Sequence, residues 1–272
     1  MTSTIRQLSE PYGSLSYREV GHGRPLVLVH GVGMQSAAWG PQIDALSRSH
    51  RVIALDMPGH GGSSPLPEGA ELPDFVAWLA AVFRDLDLED VSLGGHSMGA
   101  LIALGFAVEH SERLARVALL NGVYRRSIAA RSAVEARADE IKAGIVDFDT
   151  PLSRWFGDSP SEQAARGDVA EWLGQVDLAG YATAYGAFAR GDQVYADRLA
   201  DITCPFLAIT GDGDPNSTPE MTHAMADGVA HGRALVISGH RHMVNLTAPD
   251  VVTAAMQEWL DWCEEGSADD RD

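Results

Sequence analysis

Lysine is nearly absent from this chain. Lys142 is the single one among 20 basic residues, set against 38 acidic residues in 272, and the formal net charge is −18. Binding a phosphate backbone needs clustered Lys and Arg, so the deficit excludes a nucleic-acid partner. It argues equally against docking on an anionic membrane surface. Cysteine is scarce as well: Cys204 and Cys263 lie far apart. That count supports neither a disulfide framework nor a metal-ligand spacing, and no metal or cofactor is expected. Long apolar runs are missing. Residues 100–108 form one of the longest, and they are too short and too Gly-interrupted to span a bilayer. Residues 1–10 lack a basic stretch followed by an apolar run, so they do not read as a signal peptide. The expectation is a cytoplasmic protein with two reduced thiols. Residues 266–272 read as an acidic, solvated tail.

What is present suffices for a folded core. Hydrophobic residues make up 45% and charged residues 21%, which excludes a disordered chain. Short apolar runs at 15–20, 26–29, 51–55, 91–93, 116–120, 206–210 and 234–237 read as strands, several of them rich in Val and Ile and buried on both faces. Helical patterns at 39–47, 72–86, 100–110, 218–228 and 251–263 lie between most of them. Strands alternating with helices imply an α/β fold with a mostly parallel sheet and right-handed crossovers. Residues 122–199 break the rhythm. They hold no strand-like run and read as several short helices, a lid inserted into the core. The expected division is a core of 1–121 and 200–265 around a lid of 122–199.

The sharpest motif is Gly95-His96-Ser97-Met98-Gly99, between the strand at 91–93 and the helix that follows. A serine flanked by glycines on a strand-to-helix turn is a nucleophile elbow. The glycines relieve crowding, and the helix N-terminus favours developing negative charge. A serine needs a base and a group to orient that base. In chain order an acid and then a histidine should follow, at the C-terminal ends of later strands. Gly211-Asp212-Gly213-Asp214-Pro215 and Ser238-Gly239-His240-Arg241-His242 occupy those places.

These pieces, together with Leu28-Val29-His30-Gly31, Asp56-Met57-Pro58-Gly59-His60-Gly61-Gly62-Ser63, and His242-Met243-Val244-Asn245-Leu246 with Pro249, resemble the α/β-hydrolase family in its esterase and 3-oxoadipate enol-lactonase-like branch. The resemblance implies an eight-stranded, mostly parallel sheet flanked by helices. It implies a triad of Ser97, Asp214 and His242, with Asp212 and His240 as rivals in their loops. The N–H groups of Met98 and Val32 would form the oxyanion hole, Gly33 being the alternative to Val32. His30 and His96 are expected to be structural. The Asp56–Ser63 loop is read as structural and not as a nucleotide site, since it lacks Gly-x-Gly-x-x-Gly ahead of a helix and any Walker lysine.

The implied function is hydrolysis of a small-molecule carboxylic ester or lactone through an acyl-enzyme. Serine at the nucleophile position sets it apart from the family's haloalkane dehalogenases and epoxide hydrolases, which use Asp there. Hydrolysis of a carbon–carbon bond in ring-cleavage products on the same triad is an alternative, and so is a non-catalytic ligand-binding protein of this fold. A homodimer stays open. Trp155 and Tyr185 are candidate substrate contacts, or else lid packing together with Trp172. A carboxylate-bearing substrate would need a cation. Arg125, Arg126 and Arg154 are the candidates, although each is more readily read as a surface salt-bridge residue. The net charge of −18 would repel an acidic substrate unless such an arginine offsets it, which places a neutral ester or lactone slightly ahead.

Overall fold

The protein is described by a computed structural model covering residues 2–262; Cys263 and the acidic tail lie outside the described residues. Eight strands form one sheet: β1 (Thr4–Gln7), β2 (Ser14–Val20), β3 (Pro25–Val29), β4 (Arg51–Leu55), β5 (Val91–His96), β6 (Leu114–Leu120), β7 (Phe206–Gly211) and β8 (Gly232–Ile237). Their order across the sheet is β1-β2-β4-β3-β5-β6-β7-β8. β1 and β2 pair antiparallel, and β2 joins β4 antiparallel. All pairs from β4 to β8 are parallel. This is the α/β architecture expected from the alternation of strands and helices.

Among the described residues ten α-helices accompany the strands: α1 (Gly40–Leu46), α2 (Leu72–Asp85), α3 (Met98–Glu109), α4 (Ile128–Lys142), α5 (Asp149–Trp155), α6 (Pro160–Gly174), α7 (Leu178–Gly191), α8 (Pro219–Asp227), α9 (Val244–Thr247) and α10 (Pro249–Leu260). Successive strand residues point to opposite faces, and the central strands are apolar on both. Val27, Val29, Ile53, Leu55, Leu93 and Val117 face a core shared with α2 and α3. Leu26, Leu28, Val52, Ala54, Ala118 and Leu120 face Trp39, Ile43 of α1, and Met256 and Trp259 of α10. This two-sided burial is why these strands read as continuous apolar runs.

β1 is the strand that the hydropathy pattern misses. Its four residues, Thr4-Ile5-Arg6-Gln7, are all exposed, so they leave no burial signature; backbone pairing to β2 alone defines the strand. Elsewhere the observed bounds extend the expected ones. β5 continues through Gly94, Gly95 and His96, none of which carries an apolar side chain to mark a strand. Between β6 and β7 the described chain holds α4 to α7 and no strand. Among the described residues no helix is long and apolar enough to cross a membrane.

Trp259 is fully buried on the α10 face of the sheet. Trp259→Ala is expected to lower the unfolding free energy by about 3–5 kcal/mol, read by denaturant titration. A loss under about 1 kcal/mol would contradict its place in that core.

Candidate active site

The turn from β5 into α3 is strained. Ser97 sits between them at φ +53° and ψ −111°, a region that side-chain-bearing residues rarely adopt. Crowding forces small neighbours. A Cβ on Gly95 would stand 2.1 Å from the Gly99 carbonyl oxygen, and one on Gly99 would stand 2.1 Å from the Val29 carbonyl oxygen of β3. Both glycines are therefore required by backbone contact. The first turn of α3 leaves N–H groups without intrahelical acceptors, and Met98 is its first residue.

Ser97 Oγ lies 3.0 Å from His242 Nε2. His242 Nδ1 lies 2.7 Å from Asp214 Oδ2. All three residues are buried. Asp214 Oδ2 also accepts from Asn121 Nδ2 at 2.9 Å, and Oδ1 accepts from the Asn216 N–H at 2.8 Å. Burial pushes the Asp214 carboxyl up, but the His242 charge and the hydrogen bonds from His242, Asn216 and Asn121 outweigh it, leaving the pKa below the ordinary value. The carboxylate is thus held ionised against the imidazole. Asp212 is elsewhere: its carboxylate accepts from Ser238 Oγ and the Gly239 N–H, both at 2.8 Å, and closes a turn. His240 Nδ1 lies 3.0 Å from Thr247 Oγ1. Between the rivals in each loop, tertiary packing brings Asp214 and His242 to the serine.

Ser97 and His242 line a cavity of about 320 Å³, a size suited to a small molecule. Val32 lines it too, whereas Gly33 donates its N–H to His60 Nε2 at 2.9 Å. A Cβ on Gly31 would stand 3.1 Å from Ser97 Cβ, so this loop runs directly against the serine. Trp155 and Tyr185 both line the cavity; Trp155 stacks on His242 with centroids 5.6 Å apart at 28°. Trp172 packs against the core. Among the three expected arginines, Arg126 and Arg154 line the cavity and Arg125 does not. Arg125 adopts φ +46°, its side chain is half exposed, and it pairs with Asp197 over the Tyr124 ring. The turned backbone sends it to the surface, which removes it from the candidate substrate contacts.

Two residues, Asn121 and Arg137, gain roles that sequence reasoning had not assigned, and His96 holds the structural role expected of it. Asn121, at φ +49° and fully buried just past β6, orients Asp214. Its signal was an Asn directly after an apolar strand, a type that tolerates left-handed backbone. His96 Nε2 donates to the His242 carbonyl at 2.8 Å and so fixes the loop that carries His242. Arg137 lines the cavity on one face of α4 with Ala133, Ala136 and Glu140; their helical spacing of three and four was the available signal.

Burial lowers the pKa of three histidines around the site, His30, His60 and His96. Burial lowers His30, with partial opposition from Asp56 and from the bond to the Gly31 carbonyl. Burial, and then the neighbouring His30, pushes His60 down to about 3. Burial, and then His242, does the same for His96, also to about 3. His30 and His60 use their unprotonated Nε2 atoms to accept the N–H groups of Met57 and Gly33, each at 2.9 Å. Between the ordinary value of 6.5 and about 3, the unfolded chain binds protons that the folded chain refuses. Stability is therefore full above the unfolded value and falls as the pH drops through that window, by about 1.4 kcal/mol per pH unit for each such histidine. The expected outcome is a melting temperature that declines from pH 6.5 to 4.5, with a shallower slope in His60→Gln. Equal slopes would contradict a neutral His60.

Comparison with known proteins agrees with this arrangement. The sequence profile of the alpha/beta hydrolase family matches residues 26–255. The chain is 54% identical over 261 residues to an (E)-2-((N-methylformamido)methylene)succinate hydrolase of Acinetobacter baylyi, covering 96% of this chain and 99% of that one. Among solved structures it is similar to a thermophilic esterase from Thermogutta terrifontis, determined with malate bound (26% identity, TM-score 0.85, 96% and 98% of the two chains). It is also similar to the enol-lactonase from Burkholderia xenovorans (25% identity, TM-score 0.84, 95% and 100% of the two chains). With an eight-stranded sheet of this order and a family match over most of its length, the chain belongs to the alpha/beta hydrolase family.

Proposed function

We propose that this hydrolase cleaves an acyl bond in a small, open-chain unsaturated acid, with Ser97 as nucleophile, His242 as general base and then acid, and Asp214 as the group that orients the imidazole. The observation that carries the reading is the unbroken hydrogen-bonded line from Ser97 Oγ through His242 to Asp214, opening on the cavity.

The chemistry follows from that line. His242 Nε2 takes the Ser97 proton as Oγ attacks the acyl carbon. Negative charge develops on the acyl oxygen, and the N–H groups of Met98 and Val32 are assigned to meet it. His242 then protonates the leaving group, and a water hydrolyses the acyl-enzyme by the same path in reverse. Asp214, kept ionised, stabilises the imidazolium formed in both steps. The helices over the cavity act as its lid, excluding bulk water from the acyl group.

The ester or lactone implied by the family resemblance is supported less well than its alternative, hydrolysis of a carbon–carbon bond in a ring-cleavage product on the same triad; the proposed reaction keeps the open-chain unsaturated acid of that alternative and places the cleavage at a C–N bond. The 54% identical relative is named for such a compound, a methylenesuccinate bearing an N-methylformamido group. The single acyl carbon in that compound outside its carboxylates is the formyl carbon, so on it Ser97 would break a C–N bond and release formate.

The test is a comparison of kcat/KM across (E)-2-((N-methylformamido)methylene)succinate, a vinylogous diketone, an enol-lactone and p-nitrophenyl butyrate. The open-chain diacid is expected to lead by at least about tenfold, and Ser97→Ala to lose at least ~10³-fold on it. A lactone or simple ester leading the series would overturn the substrate reading. Near-full activity of Ser97→Ala would overturn the mechanism.

A further inference from the structure

The cavity that holds Ser97 and His242 differs in charge from the rest of the molecule. Its lining includes three cations, Arg126, Arg137 and Arg154, and two anions, Glu140 and Asp147, a local excess of one positive charge in a chain of net charge −18. Local charge and not net charge sets what a pocket attracts.

The three arginines are balanced unequally. Arg137 Nη1 pairs with Glu140 at 3.1 Å, and its Nη2 donates to the Asp147 carbonyl. Arg126 is the built element. Its side chain is 3% exposed and its Nη1 lies 3.3 Å from Asp192. Asp192 is shared, since its other oxygen takes Arg131 at 2.9 Å. One carboxylate thus serves two guanidinium groups. The Arg126 guanidinium lies 4.4 Å over the Phe188 ring, and its Nη2 is buried without a hydrogen-bond partner. An unpaired buried donor on a cation is costly unless something completes it. Arg154 is exposed, and among the described residues no carboxylate pairs with it. All three arginines line the same cavity as Tyr185; burial raises the Tyr185 hydroxyl, the three guanidinium groups oppose that rise and Glu140 adds to it.

The segment bearing Arg154 is also fixed relative to the base. Arg241, the neighbour of His242, donates from Nη1 to the Ser153 and Phe156 carbonyls at 3.0 and 2.7 Å. Trp155, the neighbour of Arg154, stacks on His242. The end of α5 is thereby bolted to the loop that carries the base, so a group held by Arg154 keeps a set position relative to Ser97.

We infer that Arg154, backed by Arg126 and Arg137 around Tyr185, forms a carboxylate-recognising subsite that selects acidic substrates for this active site. Guanidinium groups bind carboxylates through charge-assisted, often bidentate, hydrogen bonds. An arriving carboxylate supplies the charge that the shared Asp192 leaves uncompensated. The inference rests on the acyl-hydrolase reading for what happens after binding, but not for the binding itself.

Two measurements separate the two ideas. The first is the ratio of kcat/KM for mono-p-nitrophenyl adipate to that for p-nitrophenyl hexanoate, an anionic and a neutral ester of equal chain length. The wild type is expected to favour the anion, Arg154→Gln to reduce the ratio by about tenfold or more, and Arg154→Lys to restore part of it. The second is calorimetric titration of succinate and of succinamide into Ser97→Ala protein, which needs no turnover. Succinate is expected to bind at least about tenfold more tightly, and adding Arg154→Gln should remove the preference. If neither ester nor (E)-2-((N-methylformamido)methylene)succinate turns over but succinate still binds in an Arg154-dependent way, the subsite stands and the acyl-hydrolase reading fails. An unchanged ester ratio in Arg154→Gln, or equal binding of succinate and succinamide, overturns the subsite.

Discussion

Gly99 passes so close to the Val29 carbonyl of β3 that no side chain fits between them, and this contact fixes where Ser97 stands. The elbow must descend onto the neighbouring strand for α3 to pack against the sheet. The serine therefore takes a left-handed backbone that its own side chain disfavours. Local strain of this kind persists only where surrounding packing over-determines it. Here β5 is buried along its whole length, and nearly every residue of α3 is buried as well. The cost of the turn is spread over the centre of the sheet, and in return the hydroxyl stands clear of it, facing the loops at the carboxyl ends of β7 and β8.

Those loops are held by polar groups that keep a single protonation state. His96 anchors the backbone of His242, Asn121 and Asn216 anchor Asp214, and His60 anchors the N–H of Gly33 beside Val32. Burial keeps His60 and His96 neutral, so each presents one donor and one acceptor nitrogen in a defined arrangement. Asp214, by contrast, is kept ionised by its donors. Removal from water disfavours charge in both cases: unopposed, it leaves the histidines neutral where hydrogen bonds need an acceptor, while at Asp214 the His242 charge and the donated hydrogen bonds overcome it and keep the carboxylate ionised. Preorganised dipoles of this sort do not reorganise during a reaction, and they matter most in a site sheltered from water.

Much of this was legible in the sequence because the signals were local. The continuous apolar runs of β3 to β7 gave the sheet, and Gly95-His96-Ser97-Met98-Gly99 gave the elbow. What was not legible depends on distant parts of the chain. β1 is polar and exposed, so only its pairing to β2 reveals it. Asp212 and Asp214 are two residues apart and chemically identical; which one meets His242 depends on how two loops from β7 and β8 cross. Arg125 and Arg126 are adjacent, yet a left-handed residue sends the first to solvent while the second is buried under α7. Arg137 reaches the cavity from α4 only because that helix packs on α7. The acidic composition pointed to a neutral substrate; the cavity's own arginines point the other way.

The proposed chemistry turns on Ser97 acting as a covalent nucleophile. The most direct measurement is intact-mass and peptide analysis of the chain after reaction with a fluorophosphonate. One adduct per chain is predicted, located on Ser97, with hydrolytic activity lost in proportion to labelling and no adduct in Ser97→Ala. Labelling at another residue, or hydrolysis that continues undiminished with Ser97 fully modified, would contradict it.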